Sequence, residues 1–92
     1  MVLPRGAQGL VLALGDERLV AFPPKVEVRS SVGAGDATLA GLLWAVSENC
    51  DPATLARRAA ACGTAAAMQE GSGVGEAALV RELLDKVEVR PG

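Results

Sequence analysis

The hydrophobic positions of the chain predict short strands at both ends and helices between them. Residues 9–15 form a continuous apolar run bounded by glycines, which is typical of a strand buried on both faces, as in a parallel sheet covered by helices. Residues 18–22 predict a second strand after a turn at Gly15 and Asp16, and prolines 23 and 24 end it. Residues 25–29 alternate polar and apolar side chains, as in a half-exposed strand.

Three helices are predicted after these strands. The first runs from Asp36 to about Asn49 and is apolar nearly all round, so we expect it to be buried. Asp51 and Pro52 are a typical N-cap and first helical residue for the second helix, which continues to about residue 70 and stops at glycine 71. Residues 76–84 predict a short third helix.

The second helix carries a stripe of mostly small side chains on one face. Such a stripe lets another helix, or a flat ligand, come close to the backbone, while Arg57 and Arg58 are expected to face solvent. The stripe consists of Leu55, Ala59, Cys62, Gly63, Ala66 and Ala67. Residues 86–90 predict a closing strand with the same sequence, KVEVR, as residues 25–29, and we interpret the two copies as similar edge strands.

The amino-acid composition predicts a small hydrophobic core. Half of the 92 residues are apolar, but Phe22 and Trp44 are the two aromatic residues, so Ala, Leu and Val must build the core. Alanine buries little area, and a domain of this size has a thin stability margin. We therefore expect missing N-terminal chain or a homo-oligomer partner to complete the core.

Charge and residue usage exclude several classes of function. The net charge is −2 without a basic stripe, which argues against nucleic-acid binding. The longest apolar helical stretch, residues 39–46, is far shorter than the roughly 20 residues of a membrane span, and the start does not resemble a signal peptide, so we expect a cytoplasmic protein. The chain has no histidine, which excludes His-containing catalytic triads and His-ligated zinc within it. Cys50 and Cys62 are expected to be small core thiols.

The segment of residues 28–41 carries the candidate chemistry. It places a glycine-rich turn between a strand and a helix, where Gly33 and Gly35 let free backbone N–H groups point one way. Together with the helix dipole, these groups make an anion site suited to a phosphate. Asp36 at its edge could accept the proton of an attacking hydroxyl in phosphoryl transfer.

Other interpretations of this segment remain open from the residues alone. Gly33, Gly35 and Asp36 also fit an ordinary turn and helix start. A Walker A loop would need Gly-Lys-Ser/Thr at its end, which does not occur, and a dinucleotide fingerprint would need glycine where Thr38 stands.

The sequence Ser31-x-Gly33-Ala34-Gly35-Asp36, followed by ATLAGL, resembles the C-terminal signature of the ribokinase-like (PfkB) carbohydrate kinases. The preceding PPKVEV and the valine at position 32 look most like the 1-phosphofructokinase and tagatose-6-phosphate kinase branch. The resemblance implies an α/β fold: the C-terminal fragment of a ribokinase-like three-layer α/β/α (Rossmann-like) domain, with short strands, two main helices and a short third helix. Residues 1–92 would be its nucleotide-binding part.

The resemblance also implies roles for individual residues. Asp36 would be the catalytic base, and Gly33, Ala34, Gly35 and Asp36 would supply the anion-hole amides. Nucleotide contacts would come from Gly15, Gly33, Gly35, Cys62, Gly63 and Ala66; for Gly15, Cys62, Gly63 and Ala66, core packing is the alternative. The implied cofactors are ATP and Mg²⁺, and no protein metal site is expected.

Family members are roughly three times this length, and the part that carries the sugar site and lid has no counterpart here. The hairpin after Gly15 is also shorter than in the family. We therefore expect a piece of an ATP-dependent sugar-phosphate kinase that is inactive alone, with the sugar phosphate bound only in a full-length enzyme. The alternative is a non-catalytic nucleotide-binding or oligomerisation module derived from a kinase.

Overall fold

The computed structural model describes residues 2–4, 9–26, 34–68 and 77–92. Within these ranges the chain forms an antiparallel sheet and three helices. Their order is β1 (Val2–Pro4), β2 (Leu10–Leu14), β3 (Glu17–Phe22), α1 (Ala34–Ser47), α2 (Pro52–Ala67), α3 (Ala77–Leu84) and β4 (Glu88–Pro91).

The strands lie in the spatial order β1-β2-β3-β4, and each neighbouring pair is antiparallel. The predicted parallel surroundings of β2 were therefore wrong. In β2 the burial alternates, since Leu10 and Leu12 are buried whereas Val11 and Ala13 are half-buried. One face of an antiparallel sheet can pack on the core while the other stays open, and a run of aliphatic residues is compatible with this arrangement.

The predicted turn between β2 and β3 is confirmed. Leu14 pairs with Glu17, which leaves Gly15 and Asp16 as a two-residue loop. Gly15 has a φ of 58°, the positive value that the first residue of a type II′ hairpin turn requires.

The two KVEVR copies differ in the structure. Residues 25 and 26 have no regular secondary structure, and residues 27–29 lie outside the described ranges. The second copy supplies most of β4, which is the predicted edge strand and pairs with β3 from Leu19↔Pro91 to Phe22↔Glu88.

The core forms where one face of the sheet packs on α2. Leu12 is 2% exposed on the sheet, and Ala56 and Ala59 on α2 are fully buried. Helix α3 adds Val80 and Leu83 to the same cluster. The core is thus built from Ala, Leu and Val, as the composition predicts. No helix in the described ranges is long and apolar enough to cross a bilayer.

Helix α1 packs against α2 and approaches it closely at Gly41. A Cβ placed on Gly41 would lie 2.7 Å from the carbonyl oxygen of Arg58 and 2.8 Å from Cys62 Sγ. Gly41 of α1, which has no Cβ, allows this close approach, and Cys62 is the member of the predicted small-residue stripe that lies there.

Alanine at position 41 is expected to lower the free energy of unfolding by about 1–3 kcal/mol, the usual cost of overpacking. The added Cβ meets a backbone oxygen of α2, which cannot move away without shifting the helix. Gly35→Ala is the matched control, because it changes the same helix at a position where the added Cβ meets no atom of another described segment within 4 Å. Urea unfolding followed by circular dichroism measures both, and equal midpoints for the two variants would contradict the prediction.

Helix α1 begins at Ala34, two residues before the predicted start, and ends at Ser47. Its C-terminus is closed by Asn49 with a φ of 56°. The Asn49 N–H donates to the carbonyl of Val46 at 3.0 Å, and the Cys50 N–H donates to the carbonyl of Ala45 at 3.1 Å. These two bonds form a Schellman motif, in which asparagine takes the left-handed position usually held by glycine.

The prediction that α1 is buried on all sides was wrong. Ala37 and Ala45 are 1% and 0% exposed, but Leu39, Leu43 and Val46 are 54%, 59% and 54% exposed. An apolar composition all round a helix shows that both faces can be buried, yet α2 covers only one of them here.

Helix α2 begins as predicted, with Asp51 as N-cap and Pro52 in the first turn. It ends at Ala67, three residues before the predicted end, and glycine 71 lies outside the described residues. The predicted third helix and closing strand are confirmed as α3 and β4.

Candidate functional site

The candidate site is the first turn of α1, which contains Ala34, Gly35 and Asp36. The first N–H groups of a helix have no partner within the helix, and its dipole places partial positive charge there. Gly35 and Asp36 are exposed, and among the described residues outside this helical turn no atom lies within 4 Å of a Cβ placed on Gly35. Among the described residues, the first turn of α1 is therefore accessible at Gly35 and Asp36, where a phosphate-sized anion could approach.

The two residues after Asp36 are buried and anchor the first turn of α1 in the fold. Ala37 is 1% exposed and Thr38 is 7% exposed. Since successive helical residues point about 100° apart, the buried side chain of Ala37 holds the backbone in place while Asp36 stays open to solvent. A fixed backbone with an accessible carboxylate is the arrangement that a general base needs.

Gly33, the first residue of the predicted anion hole, lies outside the described residues together with serine 31 and valine 32. Its role stays a prediction. The structure brings Ala34, Gly35 and Asp36 together because they share one helical turn.

The other residues predicted to contact a nucleotide have different environments. Gly15 is exposed in the β2–β3 turn, whereas Gly63 is buried and Ala66 is 0% exposed. Cys62 is half-buried beside Gly41, where it packs between α1 and α2. In this structure Gly63 and Ala66 expose little or no surface to a ligand, and nucleotide contact by these four residues stays a prediction.

Both cysteines pack at the edge of the core as half-buried free thiols. Burial raises the pKa of the Cys62 thiol, and the nearby Arg58 charge opposes this only in part. A thiol with a raised pKa is a poor nucleophile at neutral pH, and the structure shows Cys62 packed beside Gly41.

A cluster at the other end of α1 was not predicted. The Arg58 guanidinium lies 4.0 Å from the centroid of the Trp44 ring and donates to Glu48 Oε1 at 2.9 Å. The Trp44 Nε1–H donates to Glu48 Oε2 at 2.8 Å. The Arg58 side chain is 18% exposed, so the expectation that it faces solvent was wrong. The i, i+4 spacing of Trp44 and Glu48 is the sequence feature that could have indicated their contact. Their contact with Arg58 depends on how α1 and α2 pack.

The hydrogen bond from Arg58, followed by that from Trp44, lowers the pKa of Glu48 below its ordinary value of 4.5. Ionised Glu48 therefore stabilises the fold above that value, and this contribution is lost as the pH falls through the lowered pKa.

When the pH is lowered from about 5 to about 3, we expect the free energy of unfolding to fall less in Glu48→Gln than in the unchanged chain. Urea unfolding at each pH measures this free energy. In an Arg58→Gln background the same substitution should have a smaller effect, because only the Trp44 hydrogen bond to Glu48 remains. An undiminished effect would contradict the proposed pairing.

Comparison with known proteins identifies the family. The sequence profile of the pfkB family carbohydrate kinases matches residues 1–78. The chain belongs to the pfkB family. This membership confirms the family resemblance that the residues around Gly35 and Asp36 indicate.

Two further comparisons agree with the pfkB assignment. The 1-phosphofructokinase of Vibrio cholerae serotype O1 is 35% identical over 97% of this chain, which corresponds to 28% of that enzyme. The solved structure of phosphofructokinase-2 from Escherichia coli with potassium matches 91% of this chain and 27% of its own length, with a TM-score of 0.87 and 25% identity. The α/β fold expected for a fragment of a pfkB kinase is thus confirmed.

A fructokinase from Vibrio cholerae O395, solved with fructose, ADP and a calcium ion, also matches this pfkB chain. It covers 90% of the chain and 30% of its own length, with a TM-score of 0.77 and 27% identity. The chain therefore spans less than a third of each of these relatives.

Proposed function

We propose that this chain is the C-terminal, nucleotide-binding part of an ATP-dependent sugar-phosphate kinase. It supplies the anion hole and the catalytic base, and it is inactive without the remainder of the enzyme. The observation that carries the proposal is the exposed Gly35-Asp36 turn at the start of α1, which lies within the segment matched to the pfkB family.

The proposed reaction transfers the γ-phosphoryl group of ATP to a sugar hydroxyl. The hydroxyl oxygen forms a bond to the γ-phosphorus as the bond between that phosphorus and the β–γ bridging oxygen breaks, and ADP leaves with the bond electrons. Asp36 accepts the hydroxyl proton. The first-turn amides of α1 stabilise the charge on the transferring group, which is the main task of a protein in phosphoryl transfer.

The described residues fit a magnesium ion that arrives with ATP better than a protein-held metal site. No group of three His, Cys, Asp or Glu side chains in the described ranges is arranged to hold a metal. Magnesium in kinases keeps several waters and binds substrate phosphates with one or two carboxylates. When bound, it would neutralise phosphate charge; Asp36 is the one carboxylate that the candidate site offers it.

The proposal is tested with a chimaera, because the chain spans less than a third of the length of its relatives. The chain replaces its matched segment in the Vibrio cholerae 1-phosphofructokinase, and ATP-dependent phosphorylation of fructose 1-phosphate is measured. We expect turnover by the chimaera and none by the 92-residue chain or by the relative with the segment deleted. A folded but inactive chimaera, or turnover by the isolated chain with fructose 1-phosphate or tagatose 6-phosphate, would contradict the proposal.

The alternative is a non-catalytic nucleotide-binding or oligomerisation module. The exposed apolar residues of α1 favour this alternative over a domain without a binding surface. Calorimetry with ATP separates a nucleotide-binding piece from a purely structural one. An in-phase reading frame upstream that encodes the N-terminal kinase signature would favour the enzyme.

A further inference from the structure

Arg58 of α2 meets α1 twice, once through its backbone and once through its side chain. A Cβ placed on Gly41 would lie 2.7 Å from the Arg58 carbonyl oxygen, so the two helix backbones approach closely there. The Arg58 guanidinium lies over the Trp44 ring and donates to Glu48, which directly follows α1. Gly41, Trp44 and Glu48 have an i, i+3, i+7 spacing and therefore lie in line on the side of α1 that faces α2.

Trp44, Glu48 and Arg58, which we call the Arg58 cluster, each contact the other two members. The Trp44 Nε1–H donates to Glu48 Oε2 at 2.8 Å, and Arg58 donates to Oε1 of the same carboxylate at 2.9 Å. The Arg58 side chain is 18% exposed, so water screens its contacts only in part. A turn of α1 about its axis would carry Trp44 and Glu48 away from Arg58 together, and the cluster therefore opposes such a turn.

The rotation of α1 also determines where the Asp36 carboxylate lies. Helix α1 is continuous from Ala34 to Ser47, and α2 is the main element that it packs on in the described structure. Asp36 lies eight residues before Trp44, about 12 Å along the same helix axis. A rotation that starts at the cluster is therefore transmitted to Asp36 through the hydrogen-bonded backbone of α1.

Such a rotation moves the carboxylate further than the backbone. The Cα atoms of a helix lie about 2.3 Å from its axis, whereas side chains reach to about 5–6 Å. A rotation of about 20° would displace the Asp36 carboxylate by about 2 Å but the first-turn backbone by less than about 1 Å. A misplacement of about 1 Å can cost about 10²-fold in rate.

We infer that Arg58 is a positioning residue for the proposed base, a role that rests on the proposed function. Arg58 touches no reacting atom; it acts through α1, whose rotation the Arg58 cluster fixes. Loss of the cluster should therefore lower kcat while the KM for ATP changes little, because the first-turn amides that hold the phosphate move less than the Asp36 carboxylate.

The test replaces Arg58 with methionine in the Vibrio cholerae chimaera, because methionine keeps an unbranched apolar stem but has no charge and no N–H donor. We expect kcat for fructose 1-phosphate to fall by about tenfold or more, with little change in the KM for ATP. Trp44→Leu removes the ring and its N–H but leaves the pair of Arg58 and Glu48, and it should also lower kcat. It decides the test if the Arg58→Met chimaera does not fold.

Two comparisons separate positioning from a purely structural role. Val80→Ala removes buried volume from α3, so it should lower the melting temperature without lowering kcat at temperatures where the chimaera is folded. Arg58→Met is also combined with Asp36→Asn. A residue that acts through the Asp36 carboxylate should cost little further once that carboxylate is gone. An equal fold-loss of kcat with and without Asp36→Asn would overturn the inference.

The remaining outcomes distinguish this inference from the proposed function. An unmutated chimaera that folds without turnover would remove the proposed function itself. An active chimaera in which Arg58→Met and Trp44→Leu both keep kcat would overturn the positioning role alone. A fall in kcat for Val80→Ala as large as that for Arg58→Met would overturn it too, because loss of stability would then account for both.

Discussion

Asp36→Asn in the chimaera is expected to lower kcat by about 10²–10⁴-fold, the range that a positioned general base contributes. Asparagine has nearly the same size and shape as aspartate but cannot accept the proton of the attacking hydroxyl. The first-turn amides of α1 belong to the backbone, so the anion site remains. We therefore expect the KM for ATP to change little while turnover falls steeply.

Asp85→Asn is the control for this substitution, because Asp85 is an exposed aspartate in the turn after α3, away from the candidate site in sequence. It should retain the turnover of the chimaera. Stopped-flow or calorimetric measurement of ATP binding to the Asp36→Asn chimaera shows whether nucleotide affinity is retained. Turnover within about tenfold of the unmutated chimaera would remove Asp36 from the role of base, because that loss is smaller than a general base accounts for.

Local sequence signals predicted most elements of the fold. The turn at Gly15 and Asp16 and the start of α2 at Asp51 and Pro52 depend on residues adjacent in sequence, and both are confirmed. Such signals fix backbone angles and free N–H groups within one or two turns, so no knowledge of tertiary packing is needed. The end of α1 belongs to the same class, because asparagine is one of the few residues that adopts the left-handed angle of Asn49 readily.

Features that depend on which surfaces meet were not predictable from periodicity. An apolar run such as β2 fits both a parallel sheet and the covered face of an antiparallel one, and the choice depends on partner strands far away in sequence. Likewise, Leu39 and Leu43 show that α1 can be buried on two sides, but they do not show which polypeptide supplies the second side. The contact of Arg58 with Trp44 required the crossing of α1 and α2 at Gly41.

The candidate site shows the same difference between local sequence signals and contacts that depend on tertiary packing. Ala34, Gly35 and Asp36 could be assigned to one site from sequence because they occupy a single helical turn. Nucleotide contacts by Cys62, Gly63 and Ala66 came from family resemblance, and the structure gives Cys62 a neighbour in Gly41 and leaves Ala66 no exposed surface.

The largest expected effect on stability comes from alanine at Gly9, next to the first residue pair of the β2–β3 hairpin. Gly9 has a φ of 95°, and a Cβ placed on it would lie 2.0 Å from the carbonyl oxygen of Ala21. Positive φ alone costs a non-glycine residue about 1–2 kcal/mol. The clash is with a backbone atom of β3 beside the Leu10↔Ala21 pair, so relieving it requires the two strands to separate there.

Together these costs should reach about 3 kcal/mol or more, a large part of the roughly 5–14 kcal/mol that a chain of this length has in total. Gly9→Ala is therefore expected to lower the urea midpoint of the 92-residue chain steeply or to leave it unfolded. Gly15→Ala isolates the backbone strain, because its φ is 58° but, apart from its chain neighbours, no described residue has an atom within 4 Å of the added Cβ. It should cost about 1–2 kcal/mol. If both variants unfold at the same urea concentration, the steric contribution is absent and the close approach of Gly9 to Ala21 does not hold the hairpin together.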